Sequence, residues 1–177
     1  MVTERNLVLV GFMGTGKTEV GKIVSKRMGR DFVDIDDQIV QAAGMSINEI
    51  FRIHGEDFFR DLESTMIEKF SNQGTLVIST GGGSLLRIDN IRNLKRNGVL
   101  ICLTASPEEI ARRVADNRHR PLLNVADRIG VVGEMMARRS QSYRVSDFTV
   151  NTDGRSLDAA ALEVIDGYER FLREWKG

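Results

Sequence analysis

The alternation of short apolar runs with longer helical segments constrains the fold of this 177-residue chain more than any other feature. The apolar runs are three to five residues long, and the segments between them have apolar residues at helical spacing. Short buried strands separated by helices predict an open parallel β-sheet with helices on both faces. Ligands bind such sheets beyond the carboxyl ends of the strands, so the residues that follow each strand are site candidates. The predicted strands cover residues 7–10, 32–35, 76–79, 99–103 and 148–150.

The segments between the strands predict helices and one irregular stretch. Ser46 and Glu49 form a capping-box pattern at one helix start, and Ser106 followed by Pro107 marks another. Residues 116–125 have weak periodicity and predict an irregular insertion. Because the chain has no long linker or repeat, we expect a single domain over residues 1–177. The predicted helices cover residues 16–28, 36–43, 46–54, 59–70, 88–96, 127–143 and 157–172, and another begins near residue 106.

Composition argues for a cytoplasmic globular protein. Apolar residues make up 41% and charged residues 28%, and the apolar runs are too short to cross a membrane or to serve as a signal peptide. The single cysteine, Cys102, excludes an internal disulfide and argues against a cysteine zinc site, so we expect a buried strand residue. This cysteine usage fits a reducing cytoplasm.

The arginines are unevenly distributed. Eight arginines and no lysine lie between residues 112 and 144, whereas the whole chain has zero net charge. A neutral chain without a basic tail argues against sequence-independent binding to nucleic acid. Arginine used without lysine instead indicates planar, bidentate recognition of particular anions.

Residues 11–18 match the phosphate-loop pattern G-x-x-x-x-G-K-[ST], placed between a predicted strand and a predicted helix. The backbone N–H groups of such a loop and the helix N-terminus bind phosphate oxygens. Lys17 is expected to reach the β- and γ-phosphates and to face solvent in the empty loop, and the Thr18 hydroxyl is expected to bind Mg²⁺. Because no Asn-Lys-x-Asp element follows a later strand, ATP is favoured over GTP. The expected ATP-binding residues here are Gly14, Thr15, Gly16, Lys17 and Thr18.

Two acids follow the second predicted strand. Asp34 and Asp36 would share one face of an extended segment and point towards the phosphate loop. One carboxylate would then hold Mg²⁺ through water, and the other would orient or deprotonate an acceptor hydroxyl. Alternatively, one of them only caps the helix that begins near Asp36.

Three further features have both a functional and a structural interpretation. Arg60 and Glu63 are either a clamp for an anion or an ordinary surface ion pair. Residues 81–83, three glycines, either allow a ligand to approach the backbone or form a flexible loop. Arg120 lies in the irregular stretch, which is either a flap that closes on the γ-phosphate or a solvated charged loop.

Together these features closely resemble the shikimate kinase family, over nearly the whole chain. The resemblance implies a P-loop fold of the nucleoside monophosphate kinase type, an α/β fold with a five-stranded parallel sheet. It also implies a lid at about residues 112–126 and an acceptor-binding region at about residues 34–63. The implied reaction transfers the γ-phosphate of ATP to the 3-hydroxyl of shikimate, in aromatic amino-acid synthesis. The matching motifs are residues 11–18, 32–36, 55–63, 80–83, 120–123 and 139–143.

The resemblance also implies a role for each motif residue. Asp36 would hold the shikimate hydroxyls and act as the base, and Asp34 would serve Mg²⁺ through water. Arg60 and Arg139 would bind the shikimate carboxylate, with Glu63 supporting Arg60. Arg120 would be the lid arginine on ATP, while neighbouring Arg118 and Arg138 leave the choice of arginine open by a position or two. Residues lining the acceptor site would be Gly81, Gly82 and Gly83, and residues near adenine would be Arg113 and Arg155. We expect a cytoplasmic monomer that binds ATP, Mg²⁺ and shikimate, and neither nucleic acid nor membrane.

Two other functions remain open from the sequence. A kinase for another small acceptor, such as gluconate or a nucleoside monophosphate, would share the phosphate loop and the lid. A non-catalytic nucleotide-binding module would be expected to lack some of the reactive residues. All four that matter most are present: Lys17, Asp36, Arg60 and Arg120.

Overall fold

The computed structural model describes residues 5–115 and 127–175. Within these residues five parallel strands form one sheet in the order β2-β3-β1-β4-β5, which confirms the predicted five-stranded parallel sheet. The predicted lid arginine Arg120, its neighbour Arg118 and lid residues 116–126 lie outside the described residues. The strands are β1 (Asn6–Val10), β2 (Phe32–Asp34), β3 (Val77–Ser79), β4 (Gly98–Thr104) and β5 (Phe148–Asn151).

Helices cover both faces of the sheet, as predicted. A short 3₁₀ helix, Ser84–Leu86, follows the triple glycine. No helix within the described ranges is long and apolar enough to span a membrane. The α-helices are α1 (Lys17–Met28), α2 (Ile35–Ala43), α3 (Ile47–Ser71), α4 (Ile88–Arg96), α5 (Pro107–Val114), α6 (Arg128–Tyr143) and α7 (Leu157–Glu174).

The central strand β1 shows why the sheet needs two layers of helices. Successive side chains of a strand point to opposite faces, and here both faces are fully buried. Val8 and Val10 pack into one apolar cluster with α2, α3 and α4. Leu7 and Leu9 pack into a second cluster with α1 and α7. This two-sided burial explains the continuous apolar runs in the sequence.

Local capping signals explain where several helices begin. Ser46 and Glu49 form the predicted capping box at the start of α3. The Ser106 hydroxyl accepts a hydrogen bond from the Glu109 N–H, which confirms the predicted start of α5. Each cap satisfies a backbone N–H that has no partner inside its helix.

The structure bears out the two helical segments predicted within residues 46–70 and corrects only the gap predicted between them. The two parts are joined directly in α3, and Gly55 forms the kink between them with φ 83° and ψ 176°. This conformation is open to glycine and strained for other residues, so a single residue suffices to redirect the helix. The second half of α3, after the kink, bears Arg60 and Glu63, and Glu63 contacts Ser84 just after the triple glycine.

The junction of β2 and α2 also differs from the prediction. The strand ends at Asp34 and the helix begins at Ile35, so Asp36 lies in the first helical turn and the extended geometry predicted for the two acids is wrong. The reason is a cap: the Asp34 carboxylate accepts a hydrogen bond from the Asp36 N–H at 3.0 Å.

Candidate active site

The phosphate loop connects β1 to α1 at the carboxyl end of the sheet. Gly11 has φ 137°, and a side chain there would overlap the Leu103 carbonyl oxygen of neighbouring β4. Gly16 caps α1 in the left-handed region, with φ 93°. The loop therefore uses glycine for a close approach of backbones and for the turn into the helix.

Lys17 lies inside the loop and does not face solvent, so this expectation from the sequence is wrong. Its Nζ donates hydrogen bonds to the carbonyl oxygens of Gly11 and Phe12, both at 2.8 Å, and only 8% of the residue is exposed. A buried ammonium group needs such acceptors to offset its lost hydration. Thr15 is also buried, and its hydroxyl donates to the Phe12 carbonyl oxygen at 2.8 Å.

The Thr18 hydroxyl and the Asp34 carboxylate meet beside the loop. Thr18 Oγ1 donates to Asp34 Oδ2 at 2.7 Å, while Asp34 Oδ1 caps α2. Asp34 is therefore a helix cap that also lies beside the phosphate loop, and its contact with Mg²⁺ stays a prediction. Hydroxyl and carboxylate oxygens are ligands that suit Mg²⁺.

Arg60 and Glu63 form a largely buried ion pair and not a surface pair. Arg60 Nη1 lies 2.8 Å from Glu63 Oε2, and their side chains are 13% and 0% exposed. Arg60 Nη2 also lies 3.1 Å from Glu56 Oε1. Burial alone would lower the pKa of Arg60, but the hydrogen bonds and charges of Glu63 and Glu56 outweigh it and raise the pKa. Arg60 therefore stays cationic, and the buried Glu63 carboxylate fixes its guanidinium from the protein interior.

Each residue of the triple glycine lies against a different polar group. A Cβ on Gly81 would lie 2.9 Å from Glu63 Oε1 and 3.0 Å from Asp36 Oδ1. A Cβ on Gly83 would lie 2.6 Å from both terminal nitrogens of Arg60. The segment is thus packed closely against charged side chains, which argues against the alternative of a merely flexible loop.

Arg139, on α6, also approaches this glycine segment. Its Nη1 lies 3.5 Å from the Gly82 carbonyl oxygen, and its guanidinium lies 5.7 Å from the centre of the Phe12 ring. The neighbouring Arg138 instead pairs with Glu134 at 3.9 Å, and its side chain is 81% exposed. Of the two adjacent arginines, Arg139 is therefore the one that faces the glycine segment.

Two residues with close contacts to the glycine segment received no role from the sequence. The Tyr143 hydroxyl donates to the Gly82 carbonyl oxygen at 2.6 Å, and burial raises the pKa of Tyr143 to about 12. The Ser84 hydroxyl donates to Glu63 Oε1 at 2.5 Å. Both contacts join residues more than twenty positions apart, so no local spacing pattern marks them.

Arg113 bridges the phosphate loop and the segment that follows β5. It donates to Thr152 Oγ1 at 2.9 Å, to the Thr152 carbonyl oxygen at 2.8 Å and to the Gly14 carbonyl oxygen at 3.3 Å. It also pairs with Glu109 at 2.7 Å, and the pKa of Glu109 is lowered to about 2, first by its hydrogen bond with Arg112 and then by Arg113. Arg155 pairs with Glu163 and is partly exposed. A contact of Arg113 or Arg155 with adenine stays a prediction.

Cys102 confirms the prediction of a buried strand residue. It is 3% exposed in β4, and burial raises the pKa of its thiol to about 11. A buried thiol with a raised pKa is a poor nucleophile, which fits a structural role in the strand.

Comparison with known proteins decides the family. Residues 13–169 match the family model described as shikimate kinase. This chain belongs to the shikimate kinase family. A shikimate kinase of Thermodesulfovibrio yellowstonii is 45% identical over 166 residues, covering 94% of this chain and 96% of its own. A shikimate kinase of Caldanaerobacter subterraneus is 43% identical over 164 residues, covering 93% and 96%.

Solved structures agree with this family membership. A shikimate kinase from Acinetobacter baumannii, solved in complex with shikimate, superposes with a TM-score of 0.90 at 30% identity and covers 98% of this chain and 97% of its own. A gluconokinase from Sinorhizobium meliloti has a TM-score of 0.60 at 14% identity, which shows a shared P-loop kinase fold alone. The protein is thus a P-loop enzyme of the shikimate pathway that phosphorylates shikimate with ATP.

Proposed function

We propose that the shikimate carboxylate binds between Arg60 and Arg139, next to the glycine segment. One observation carries this assignment: two guanidinium groups from different helices reach three consecutive glycines, Arg60 at Gly83 and Arg139 at Gly82. Planar guanidinium groups bind carboxylates through paired hydrogen bonds. A backbone without side chains between them leaves room for a small acidic ring.

Asp36 orients the acceptor hydroxyl and accepts its proton in this proposal. The support is its position against Gly81, on the same glycine segment that the arginines reach. Phosphoryl transfer has a loose transition state, so the position of the hydroxyl matters more than the strength of the base. The 3-hydroxyl of shikimate would be the group held at Asp36.

ATP binds through the phosphate loop, with Lys17 and the backbone N–H groups of Gly14, Thr15 and Gly16 on its phosphates. Mg²⁺ would be held by the Thr18 hydroxyl and, through water, by Asp34, whose oxygens lie together. Within the described ranges no three His, Cys, Asp or Glu side chains cluster, which suits an ion held chiefly by phosphates and water. Such an ion would neutralise charge on the phosphates. We further assign Arg120 to the transferred phosphate and Arg113 and Arg155 to the adenine side.

The wider organisation in this proposal is one domain over residues 1–177. Its lid spans about residues 112–126, and its acceptor-binding region about residues 34–63. The enzyme acts as a monomer in the cytoplasm and uses neither nucleic acid nor a membrane. Zero net charge and the single buried cysteine support these last points.

Steady-state kinetics of lysine variants tests the assignment. Arg60→Lys and Arg139→Lys keep the charge but lose the bidentate fork, so each should raise the KM for shikimate by about tenfold to a hundredfold while sparing the KM for ATP. Arg120→Lys should instead lower kcat, because a lid arginine acts on the transferring charge. The matched control is Arg138→Lys, a substitution of the exposed neighbour, which should leave both constants unchanged.

A weaker affinity for ATP in Arg60→Lys, with the KM for shikimate unchanged, would contradict the acceptor-site assignment. ADP release measured over shikimate, gluconate and nucleoside monophosphates tests the acceptor itself. Turnover that was fastest with gluconate or a nucleotide would contradict the choice of acceptor.

A further inference from the structure

Glu63 is the buried carboxylate that pairs with Arg60 within the described residues. Its side chain is fully buried, and one of its two oxygens, Oε2, accepts the hydrogen bond of Arg60 Nη1. A second carboxylate on Arg60, that of Glu56, is 63% exposed and can move in solvent. The Arg60 guanidinium also lies 5.2 Å from the centre of the buried Phe59 ring, a contact that sets no direction for its N–H groups. The direction of the Arg60 guanidinium therefore depends on how firmly Glu63 itself is held.

The second oxygen of Glu63 is held by Ser84. The Ser84 hydroxyl donates to Oε1 at 2.5 Å, and the residue is fully buried. The Ser84 N–H in turn donates to the Gly81 carbonyl oxygen at 3.1 Å, closing the turn of the glycine segment. The Asn90 side chain donates to the Ser84 carbonyl oxygen at 2.9 Å. Ser84 thus has a fixed backbone, and within the described part of the chain its hydroxyl hydrogen-bonds to the Glu63 carboxylate.

We propose that Ser84 is a positioning residue for shikimate binding, acting through Glu63 to hold the Arg60 guanidinium in its orientation towards the substrate carboxylate. The inference rests on the proposed contact between Arg60 and that carboxylate. Without the Ser84 hydroxyl, the buried Glu63 carboxylate can rotate about its Cγ–Cδ bond. Arg60 Nη1, which this carboxylate aligns, then turns with it. A bidentate contact loses strength quickly when its donors turn.

A purely structural role for Ser84 makes different predictions. Loss of a buried hydrogen bond lowers stability wherever it occurs, but it does not distinguish one substrate from the other. A positioning role requires a rise in the KM for shikimate that is absent for ATP. It also requires that this rise in the KM for shikimate disappear once residue 60 no longer carries a bidentate guanidinium.

The experiment compares Ser84→Ala with Ser71→Ala in the wild-type and Arg60→Lys backgrounds, with thermal unfolding measured for each. Ser71 is the matched control, because it is also a buried serine, at the end of α3 beside Asn6 and so away from the glycine segment, and its hydroxyl has no hydrogen-bond partner within the described residues. Ser84→Ala should raise the KM for shikimate by roughly tenfold, about 1.4 kcal/mol of lost binding, without changing the KM for ATP. Ser71→Ala should change neither constant.

In the Arg60→Lys background, Ser84→Ala should raise the KM for shikimate little further, since the fork is already gone. An unchanged KM for shikimate in folded Ser84→Ala overturns the proposal, and so does an equal rise for ATP or a full additional rise in the Arg60→Lys background. If Ser84→Ala does not fold, Ser84→Cys, which keeps the size but donates weakly, must show the same selective rise. Arg60→Lys alone tests the underlying carboxylate contact, so the two failures are distinguishable.

Discussion

Gly83→Ala is expected to damage shikimate binding while leaving the fold intact. Gly83 has φ −108°, outside the left-handed region that favours glycine, so alanine is permitted there. The added Cβ would lie only 2.6 Å from Arg60 Nη1 and Nη2, and these are the nearest atoms that it meets. The substitution therefore acts on one side-chain end and not on the backbone.

The size of the effect follows from the required displacement. Ordinary contact begins at about 3.4 Å, so from 2.6 Å the guanidinium must retreat by about 0.8 Å. Misplacing a substrate-positioning group by about 1 Å can cost about a hundredfold in activity. We therefore expect the KM for shikimate to rise by about tenfold to a hundredfold. The free energy of unfolding should change by less than about 1 kcal/mol, because alanine also restricts the unfolded chain.

The assay is steady-state kinetics with shikimate varied at saturating ATP, then with ATP varied, alongside thermal unfolding. Gly133→Ala on α6 is the matched control, since its Cβ would find its nearest neighbour, Pro107 Cγ, at an ordinary 3.9 Å. That variant should keep both constants and become slightly more stable. A wild-type KM for shikimate in Gly83→Ala would refute the reasoning, because the position of Arg60 would then not matter for the acceptor. A raised KM for ATP alone would place Arg60 on the nucleotide side.

Three further outcomes are expected. Asp36→Asn should lower kcat by about a thousandfold, or about 4 kcal/mol, with ATP binding retained in a titration; near-normal kcat would mean that Asp36 serves only the helix. Gly55→Ala should lower the free energy of unfolding in denaturant by about 1–3 kcal/mol, and by more than Gly29→Ala, because φ 83° with ψ 176° is a less permitted conformation than φ 64° with ψ 36°. Equal costs would show that the kink stores no strain. Glu56→Gln should lower the KM for shikimate, and an unchanged or higher value would show that Glu56 does not compete with the substrate.

The features that the sequence predicts correctly are those whose causes are local. The phosphate loop needs its glycines, Lys17 and Thr18 at fixed spacing, so a contiguous pattern reveals it. The inner strands β1, β3 and β4 are visible because burial on both faces makes each a mostly apolar run. The helix caps at Ser46 and Ser106 likewise depend on residues three positions apart.

The features that sequence reasoning misses depend on contacts that form only once the chain has folded, whether the partners are near or far in sequence. Lys17 is buried because the loop folds its own carbonyl groups around the ammonium, which no spacing pattern shows. Asp36 lies in a helix because its N–H donates a hydrogen bond to the Asp34 side chain, and this cap starts the helix where the sequence pattern predicts that the strand continues. The contact of Ser84 with Glu63 spans 21 positions, and it is visible only once α3 packs against the glycine segment.

The two carboxylates on Arg60 differ in a way that explains how this arginine can both be held and bind a substrate. Glu63 is fully buried, so removing it from Arg60 would leave an unpaired charge away from water. Glu56 is mostly exposed, and an exposed ion pair contributes only about 0–1 kcal/mol. Glu56 contacts Nε and Nη2, so it occupies the edge of the guanidinium that Glu63 leaves open. An incoming substrate carboxylate would therefore displace Glu56 into solvent at small cost and leave Glu63 in place. Neutralising Glu56 should accordingly strengthen shikimate binding, whereas neutralising Glu63 should free the Arg60 guanidinium to move out of position.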